Sequence, residues 1–259
     1  MEHSPTILVV DDDPQVRRLQ GLVLERAGYH VTRASSGQEA LRRTREDRPD
    51  LVLLDVVLPD IDGLEICRRL KNDPELAGTF VALISGARTS AEDQAAALGA
   101  GADGSMTRPI APRELLARVE TLLRLQQAER RLRAAESRYR AIFEAAPVGI
   151  YRATPGWEIA MANPALALML GYEESEALTG RNLDADIRGR DYPRKTFEQQ
   201  MAEEGKVSSL EAVWTRRGGE RMYVLESVQP IRDDAGRLLA YQGTVEGITR
   251  RVLRAQRTE

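Results

Sequence analysis

The chain has 259 residues, of which 42% are hydrophobic and 30% charged, and its formal net charge is −3. This length predicts two domains of ordinary globular composition, and the small negative charge argues against binding to nucleic acid or a membrane surface. A single cysteine, Cys67, excludes an internal disulfide framework and favours a reducing compartment. The sequence contains no long apolar stretch or signal-peptide pattern, so a cytoplasmic protein is expected.

Residues 1–122 alternate short apolar strands with helical segments. Pro14 can open the first helix, and Ser36 with Glu39 forms a capping box for the second. The predicted strands cover about 6–10, 30–34, 51–54, 80–84 and 103–107, and further helices begin near 63, 91 and 112. Alternation of this kind predicts an α/β domain with a doubly wound, parallel, five-stranded sheet.

Three carboxylates stand at the ends of two of these strands. Asp11 and Asp12 follow the run 6–10, and Asp55 follows the run 51–54. Both runs lack polar alternation, which is typical of buried parallel strands, and the carboxyl ends of such strands meet at one edge of the sheet. Clustered carboxylates repel one another there, and Mg²⁺ with oxygen ligands would relieve that repulsion. The sequence therefore predicts an acidic metal pocket; the alternative is an acidic patch that only caps strands.

A long helix is predicted from about 115 to 143, because this segment contains neither glycine nor proline. Its later part, residues 123–142, is expected to be a linker between the two domains. Apolar side chains follow steps of three and four residues: Leu125, Ala128, Leu132, Ala135, Tyr139 and Ile142. Two interpretations stay open, namely a solvated connecting helix and a short coiled-coil seam of a homodimer.

Residues 143–250 are predicted to form an α+β domain, followed by a tail over 251–259. Short strands are expected near 149–152 and 157–161, helical pieces between 163 and 200, and strands near 209–215, 221–229 and 238–247. The last three strands are separated by turn sequences, Gly218-Gly219 and 233–236. Strands joined by such short turns must be antiparallel.

Residues 5–122 resemble a response-regulator receiver domain. The residues that carry the resemblance are Asp11-Asp12, the segment 55–63 (DVVLPDIDG), Ser85, the segment 97–103 (ALGAGAD) and Arg108-Pro109. The resemblance implies that Asp55 accepts a phosphoryl group. It also implies a Mg²⁺ site formed by Asp12, Asp55 and the backbone carbonyl of Val57, with Asp11 acting partly through water, while Ser85 and Arg108 contact the phosphoryl oxygens.

This sequence departs from the receiver pattern at two positions. Arg108 stands where the family normally has lysine, and a forked guanidinium does not simply replace a compact ammonium. Ser105 stands where the family has an aromatic switch residue, so a signal cannot be transmitted by rotation of a ring at that position.

Residues from about 138 onward resemble a PAS domain. The matching segments are 138–144, 147–150, 163–165, 170–172, 178–180, 217–220 and 243–249. Gly247 replaces the aspartate of the usual closing triplet. The domain contains no histidine or cysteine, so neither haem nor a photoadduct-forming flavin is predicted, and any PAS ligand is unknown.

Together these features predict a two-component response regulator that is phosphorylated on Asp55 by a histidine kinase or phosphotransfer protein. Its output would pass through the PAS domain by protein contacts or by homodimerisation through the linker helix or the PAS domain. It is not expected to be an enzyme beyond assisting its own phosphorylation. The alternative is the receiver and sensory front end of a hybrid histidine kinase whose catalytic part is absent; only residues 250–259 follow the PAS match.

Overall fold

The computed structural model describes residues 4–86 and 97–248. It divides into two compact units, Met1–Ala135 and Glu136–Glu259. Within the described residues, no helix is long and apolar enough to cross a membrane. The domain limits predicted at 122, 142 and 250 stay predictions, and the predicted tail, 251–259, lies outside the described residues.

The first unit is built on a parallel sheet. Its strands are β1 (Thr6–Val10), β2 (His30–Ala34), β3 (Leu51–Asp55), β4 (Phe80–Ser85) and β5 (Gly104–Thr107). They lie in the order β2-β1-β3-β4-β5, and all neighbouring pairs are parallel. Apolar side chains of β1 and β3 are fully buried on both faces. This arrangement confirms the predicted fold class.

Each of the first three strands is followed by a helix with a capped amino terminus. These helices are α1 (Pro14–Arg26), α2 (Gly37–Asp47) and α3 (Gly63–Asn72). Asp13, Ser36 and Asp62 cap their amino termini by accepting hydrogen bonds from backbone amides. The helix predicted over 91–98 falls largely on residues 87–96, which lie outside the described residues; residues 97–99 are helical.

The long helix α4 spans Pro112–Ala145, slightly longer than predicted. Its apolar residues Leu115, Val119 and Leu122 pack against one face of the parallel sheet. The contacts continue beyond these residues, because the Gln126 side chain is buried and donates a hydrogen bond to the Asp50 carbonyl at 2.5 Å. Arg130 lies one turn further on and pairs with the Asp50 carboxylate, also at 2.5 Å.

The second unit contains an antiparallel sheet with helices between its strands. The strands are β6 (Gly149–Ala153), β7 (Ile159–Ala162), β8 (Val207–Thr215), β9 (Arg221–Arg232) and β10 (Leu238–Gly247), in the order β7-β6-β10-β9-β8. The intervening helices are α5 (Pro164–Leu170), a 3₁₀ turn (Ser175–Leu178), a π-helical turn (Leu183–Ile187) and α6 (Arg194–Glu204). Every neighbouring pair of strands is antiparallel, as predicted.

A polar cluster lies inside the core of this second unit. The carboxylate of Glu226, which is fully buried, accepts hydrogen bonds from Tyr151 at 2.6 Å, Tyr192 at 2.7 Å and Arg188 at 2.6 Å. Burial and the neighbouring carboxylate raise the pKa of both tyrosines, so the phenols stay neutral donors. Gly243 makes room for this cluster, since a Cβ atom there would lie 2.1 Å from the Tyr151 ring.

Replacement of Glu226 by alanine should destabilise the second unit strongly. The change would remove the buried carboxylate partner of Arg188 and leave its guanidinium with only the partly exposed carboxylate of Asp184, at 3.1 Å. Breaking a buried ion pair in this way costs about 3–5 kcal/mol. Both tryptophans, Trp157 and Trp214, lie in this unit, so denaturant unfolding followed by tryptophan fluorescence reports on it alone.

The matched control is Glu220→Ala, which removes a carboxylate from an exposed ion pair with Arg216 at 3.6 Å. This control should change the free energy of unfolding by less than about 1 kcal/mol. Equal losses in the two variants would contradict a structural role for the Glu226 cluster.

Candidate metal centre

The three carboxylates predicted to converge do so at the carboxyl edge of the parallel sheet. Asp11 and Asp12 follow β1, Asp55 ends β3, and these two strands are direct neighbours. One carboxylate oxygen from each residue lies within 4.8 Å of the other two. A hard divalent cation with oxygen ligands suits such a donor set, and Mg²⁺ in particular uses few carboxylates together with water.

Two of these carboxylates are buried. Asp11 is 0% and Asp55 5% exposed, whereas Asp12 is exposed to solvent. Burial raises the pKa of both Asp11 and Asp55, and the nearby aspartates raise it further, although the positive charge of Arg108 opposes these effects. Burial and mutual repulsion make the ionised carboxylates unfavourable in the folded protein. A bound cation would offset this unfavourable free energy and so stabilise the fold.

Arg108 supplies the counter-charge that is present in the chain itself. It follows β5, and its backbone amide donates a hydrogen bond to the Ser85 carbonyl at 2.8 Å. Its guanidinium forms ion pairs with the carboxylates of Asp11 and Asp55, the latter at 3.2 Å. The arginine therefore contacts two carboxylates of the acidic cluster at once.

The loop after Asp55 is held by two hydrogen bonds and by a close approach of the backbone at Gly63. The Val57 amide hydrogen-bonds to the Asp55 carboxylate, while the Val57 side chain is exposed. The Gly63 amide donates to the Val56 carbonyl at 2.8 Å, and a Cβ atom on Gly63 would lie 2.3 Å from the Asp55 carbonyl oxygen. This close approach explains the glycine. The role of the Val57 carbonyl as a metal ligand stays a prediction.

Asp60 ties the same loop to α2. Its carboxylate accepts hydrogen bonds from the amides of Gly37 at 2.7 Å and Gln38 at 2.9 Å, at the amino terminus of that helix. These hydrogen bonds lower the pKa of Asp60. Asp60 is thus a structural anchor for the loop and not part of the acidic cluster. Sequence analysis did not identify this role.

Ser85 and Ser105, the two serines singled out by the sequence analysis, lie in the neighbouring strands β4 and β5. Ser85 ends β4, one position after the residue that is paired with Asp55, and it is itself paired with Thr107. This places Ser85 at the same edge as the acidic cluster. Ser105 is exposed and lies within β5, paired with Leu83. A small polar side chain therefore occupies the position at which the receiver pattern has an aromatic switch residue.

Arg17 supports the acidic cluster, and sequence analysis did not identify this role. From the first turns of α1, its guanidinium donates hydrogen bonds to the backbone carbonyls of Asp11 and Asp12. These bonds hold the segment that carries both carboxylates. The helical spacing of α1 indicates that Arg17 is on the helix, but nothing in the pattern singles it out from the neighbouring Arg18.

Comparison with known proteins identifies one domain family in each of the two structural units. A family model for the response regulator receiver domain matches residues 7–120, and one for the PAS domain matches residues 147–250. The chain therefore consists of a response regulator receiver domain followed by a PAS domain.

Particular relatives are similar to the first half of the chain. The transcriptional regulatory protein PhoP for alkaline phosphatase synthesis of Bacillus subtilis is 43% identical over 118 residues, which cover 46% of this chain and 48% of PhoP. The response regulator MprA of Mycolicibacterium vanbaalenii is 46% identical over 118 residues, covering 46% of this chain and 50% of MprA. The chain spans about half the length of these curated relatives.

A solved structure resembles the same region. The crystal structure of a response regulator receiver domain protein from Methanospirillum hungatei JF-1 is 31% identical to this chain, with a TM-score of 0.46. The match covers 49% of this chain and 99% of that one.

Removal of one carboxylate should strongly reduce stabilisation by magnesium. At a Mg²⁺ concentration about ten times the dissociation constant, the wild-type receiver should gain about 1.4 kcal/mol of unfolding free energy. The Asp12→Asn variant should gain far less, because a neutral amide replaces a carboxylate of the cluster. Differential scanning calorimetry with and without MgCl₂ measures this gain.

Asp13→Asn is the matched control for this experiment. It removes the same charge from the next residue, while asparagine still caps α1 in place of Asp13. This variant should respond to Mg²⁺ as the wild type does. Loss of the response in both variants would mean that the general charge of this segment, and not the Asp12 side chain, determines binding.

Proposed function

We propose that the chain is a two-component response regulator whose Asp55 accepts a phosphoryl group from a partner histidine kinase or phosphotransfer protein in the cytoplasm. The observation that carries this proposal is the position of Asp55 at the carboxyl edge of a receiver sheet, where it is grouped with Asp11, Asp12 and Arg108. The receiver relatives, which are named as response regulators or transcriptional regulators, support the same class.

The proposed reaction uses the Asp55 carboxylate as a nucleophile. One carboxylate oxygen forms a bond to phosphorus while the bond from phosphorus to the donor histidine nitrogen breaks, and that nitrogen keeps the electron pair. A divalent ion bound at the carboxylates and the Val57 carbonyl would neutralise charge that develops on the phosphoryl oxygens. The chain thus assists its own phosphorylation, although it is not proposed to be an enzyme in the usual sense.

The residues around Asp55 have distinct proposed tasks. Arg108 already contacts Asp55 at 3.2 Å, so its guanidinium lies beside the accepting oxygen. Ser85 lies at the same sheet edge, and its hydroxyl is proposed to donate a hydrogen bond to a phosphoryl oxygen. Asp11 is buried, and Asp12 is exposed on the solvent side of the cluster. The proposal assigns both of them to cation binding.

Output is proposed to pass from the receiver to α4 and then to the PAS domain. The side chains of α4 are packed into the receiver through Leu122, Gln126 and Arg130, so a change in the receiver is transmitted to a helix that continues to residue 145. The second half of the chain is a PAS domain, which favours protein contacts or homodimerisation over binding to DNA. The PAS ligand, if one exists, is left open.

Asp55→Asn should abolish phosphoryl acceptance. The purified chain is incubated with Mg²⁺ and a ³²P-labelled histidine kinase. The proteins are then separated on an acidic gel, and autoradiography shows which of them carries the label. The wild type should carry label that is lost at alkaline pH, as expected for an acyl phosphate, whereas the variant should carry none because the nucleophilic carboxylate is gone.

Asp62→Asn is the matched control for the labelling experiment. It removes the same charge from the same loop, and asparagine retains the cap of α3 that Asp62 provides by accepting from Leu64 at 2.8 Å. This variant should be labelled like the wild type. Incubation of the chain alone with ATP tests whether the chain has kinase activity of its own: label that appears without added kinase would contradict its assignment as a phosphoryl acceptor only.

The rate of phosphorylation should depend more on the positive charge at position 108 than on the forked shape of the arginine side chain. Arg108→Ala removes the guanidinium that contacts Asp11 and Asp55, so we expect phosphorylation to be slower by at least about tenfold, a loss of about 1.4 kcal/mol in transition-state stabilisation. Arg108→Lys restores a cation and should recover most of the rate. Single-turnover transfer from the labelled kinase measures all three rates, and an alanine variant that is as fast as the wild type would contradict the assigned role.

A further inference from the structure

The carboxyl-terminal half of α4 exposes large apolar side chains along one face of the helix. Leu125, Leu132, Tyr139 and Ile142 are 50–72% exposed, although they belong to a helix that is packed into the receiver at its beginning. Together with Ala128 and Ala135 they form what we call the α4 seam, with alternating steps of three and four residues. Exposed apolar side chains in such a row favour burial against another helix.

The α4 seam lies away from the receiver-facing side of the same helix. Leu122, Gln126 and Arg130 face the parallel sheet. At 100° per residue, the centre of the seam lies about 150° around the helix from the centre of that stripe. A second helix can therefore cover the seam while the contacts between α4 and the receiver remain intact.

Charged residues beside the seam follow a strict rule. In heptad notation, position a is occupied by residues 125, 132 and 139, and position d by residues 128, 135 and 142. The flanking g positions are then Arg124, Arg131 and Arg138, whereas the e positions include Glu129 and Glu136. Position g is thus always basic, and the two charged e positions are both acidic.

This distribution discriminates between the two orientations of a helix pair. In a parallel, in-register pair, each g residue faces the e residue five positions later in the partner. Arg124 then faces the second copy's Glu129, and Arg131 faces the second copy's Glu136, so both of these charged contacts are attractive, while Arg138 faces the uncharged Phe143. In an antiparallel pair, g faces g and e faces e, which places arginines against arginines and glutamates against glutamates.

We propose that α4 pairs with α4 of a second copy of this chain, as a parallel, in-register, two-stranded coiled coil over residues 125–142. The glutamates are available for this pairing. Their ion pairs within the helix, Glu129 with Arg133 at 3.2 Å and Glu136 with Arg140 at 3.3 Å, are solvent-exposed and weak. The proposal specifies the homodimer of the proposed function, but it does not depend on phosphorylation of Asp55.

The pair should be weak in the isolated chain. The seam extends about 27 Å along the helix, which is shorter than the three or four heptads of a stable coiled coil, and two of its six members are alanines. We therefore expect a dissociation constant of about 1–100 µM. A monomer–dimer equilibrium should be visible by sedimentation equilibrium of the full chain in that concentration range.

Charge reversal provides the first test. The acidic variant carries Arg124→Glu and Arg131→Glu, and the basic variant carries Glu129→Arg and Glu136→Arg. Each alone should dimerise at least about tenfold more weakly than the wild type, because like charges face each other along the seam. An equimolar mixture of the two should dimerise at least as well as the wild type, since every contact between unlike variants is attractive.

Two outcomes of this test would overturn the proposal. One is a wild-type chain that remains monomeric at about 200 µM, well above the expected dissociation constant. The other is a dimer of unchanged strength in both charge variants, which would place the interface elsewhere, for example on the PAS domain. Asp55→Asn should dimerise like the unphosphorylated wild type, so failure of the phosphoryl-acceptor role would be recognised separately.

Cysteine cross-linking provides the test of orientation. In a parallel pair, Ala128→Cys lies beside the same residue of the second copy and should form an intermolecular disulfide under mild oxidation. In an antiparallel pair centred on the seam, residue 128 would instead lie near residue 139. Ser137→Cys points away from the seam and should not cross-link. The wild type is the background control because its one thiol, Cys67, is buried and its pKa is raised to about 11. Equal cross-linking at residues 128 and 137 would refute the parallel seam.

Discussion

Electrostatic repulsion among three carboxylates at one edge of a sheet is the constraint on which the receiver depends. The strand order brings β1 and β3 side by side, and this places Asp11 and Asp55 together in a largely buried position. Arg108 offsets part of that repulsion, and it comes from β5, which is separated from β3 by one strand. The remaining negative charge explains why a divalent cation would be stabilised at this edge of the sheet.

Much of this organisation could be predicted from the sequence, because it depends on local patterns. Buried parallel strands without alternation, capped helices and acids at strand ends are all encoded within a few residues. Contacts between distant side chains are not: no pattern connects Asp60 with the amides of α2, or Asp50 with Arg130. Glu226 did leave a signal, since it continues the inward alternation of Met222, Val224 and Val228 in β9. An acid on the buried face of a strand requires a cation, and Arg188 provides it.

The long helix shows how one element can carry two functions on two faces. One stripe of α4 belongs to the receiver core, and the opposite stripe carries the apolar residues and the ordered charges of the seam. The sequence alone indicated the periodicity of the seam. It left the choice between a solvated helix and a dimer seam open, because the orientation of the stripes relative to the receiver is visible only in the folded structure.

Asp50 lies at the amino ends of three strands, the edge opposite the acidic cluster. Its backbone and carboxylate hydrogen-bond to Thr6, and its carbonyl accepts from Phe80 as well as from Gln126. A receiver fragment truncated at residue 122 would keep every strand but would lose both Gln126 and Arg130. The truncated fragment would then expose a carboxylate without its cation at the junction of β1, β3 and β4. The first two turns of the apparent linker are therefore structurally part of the domain that precedes them.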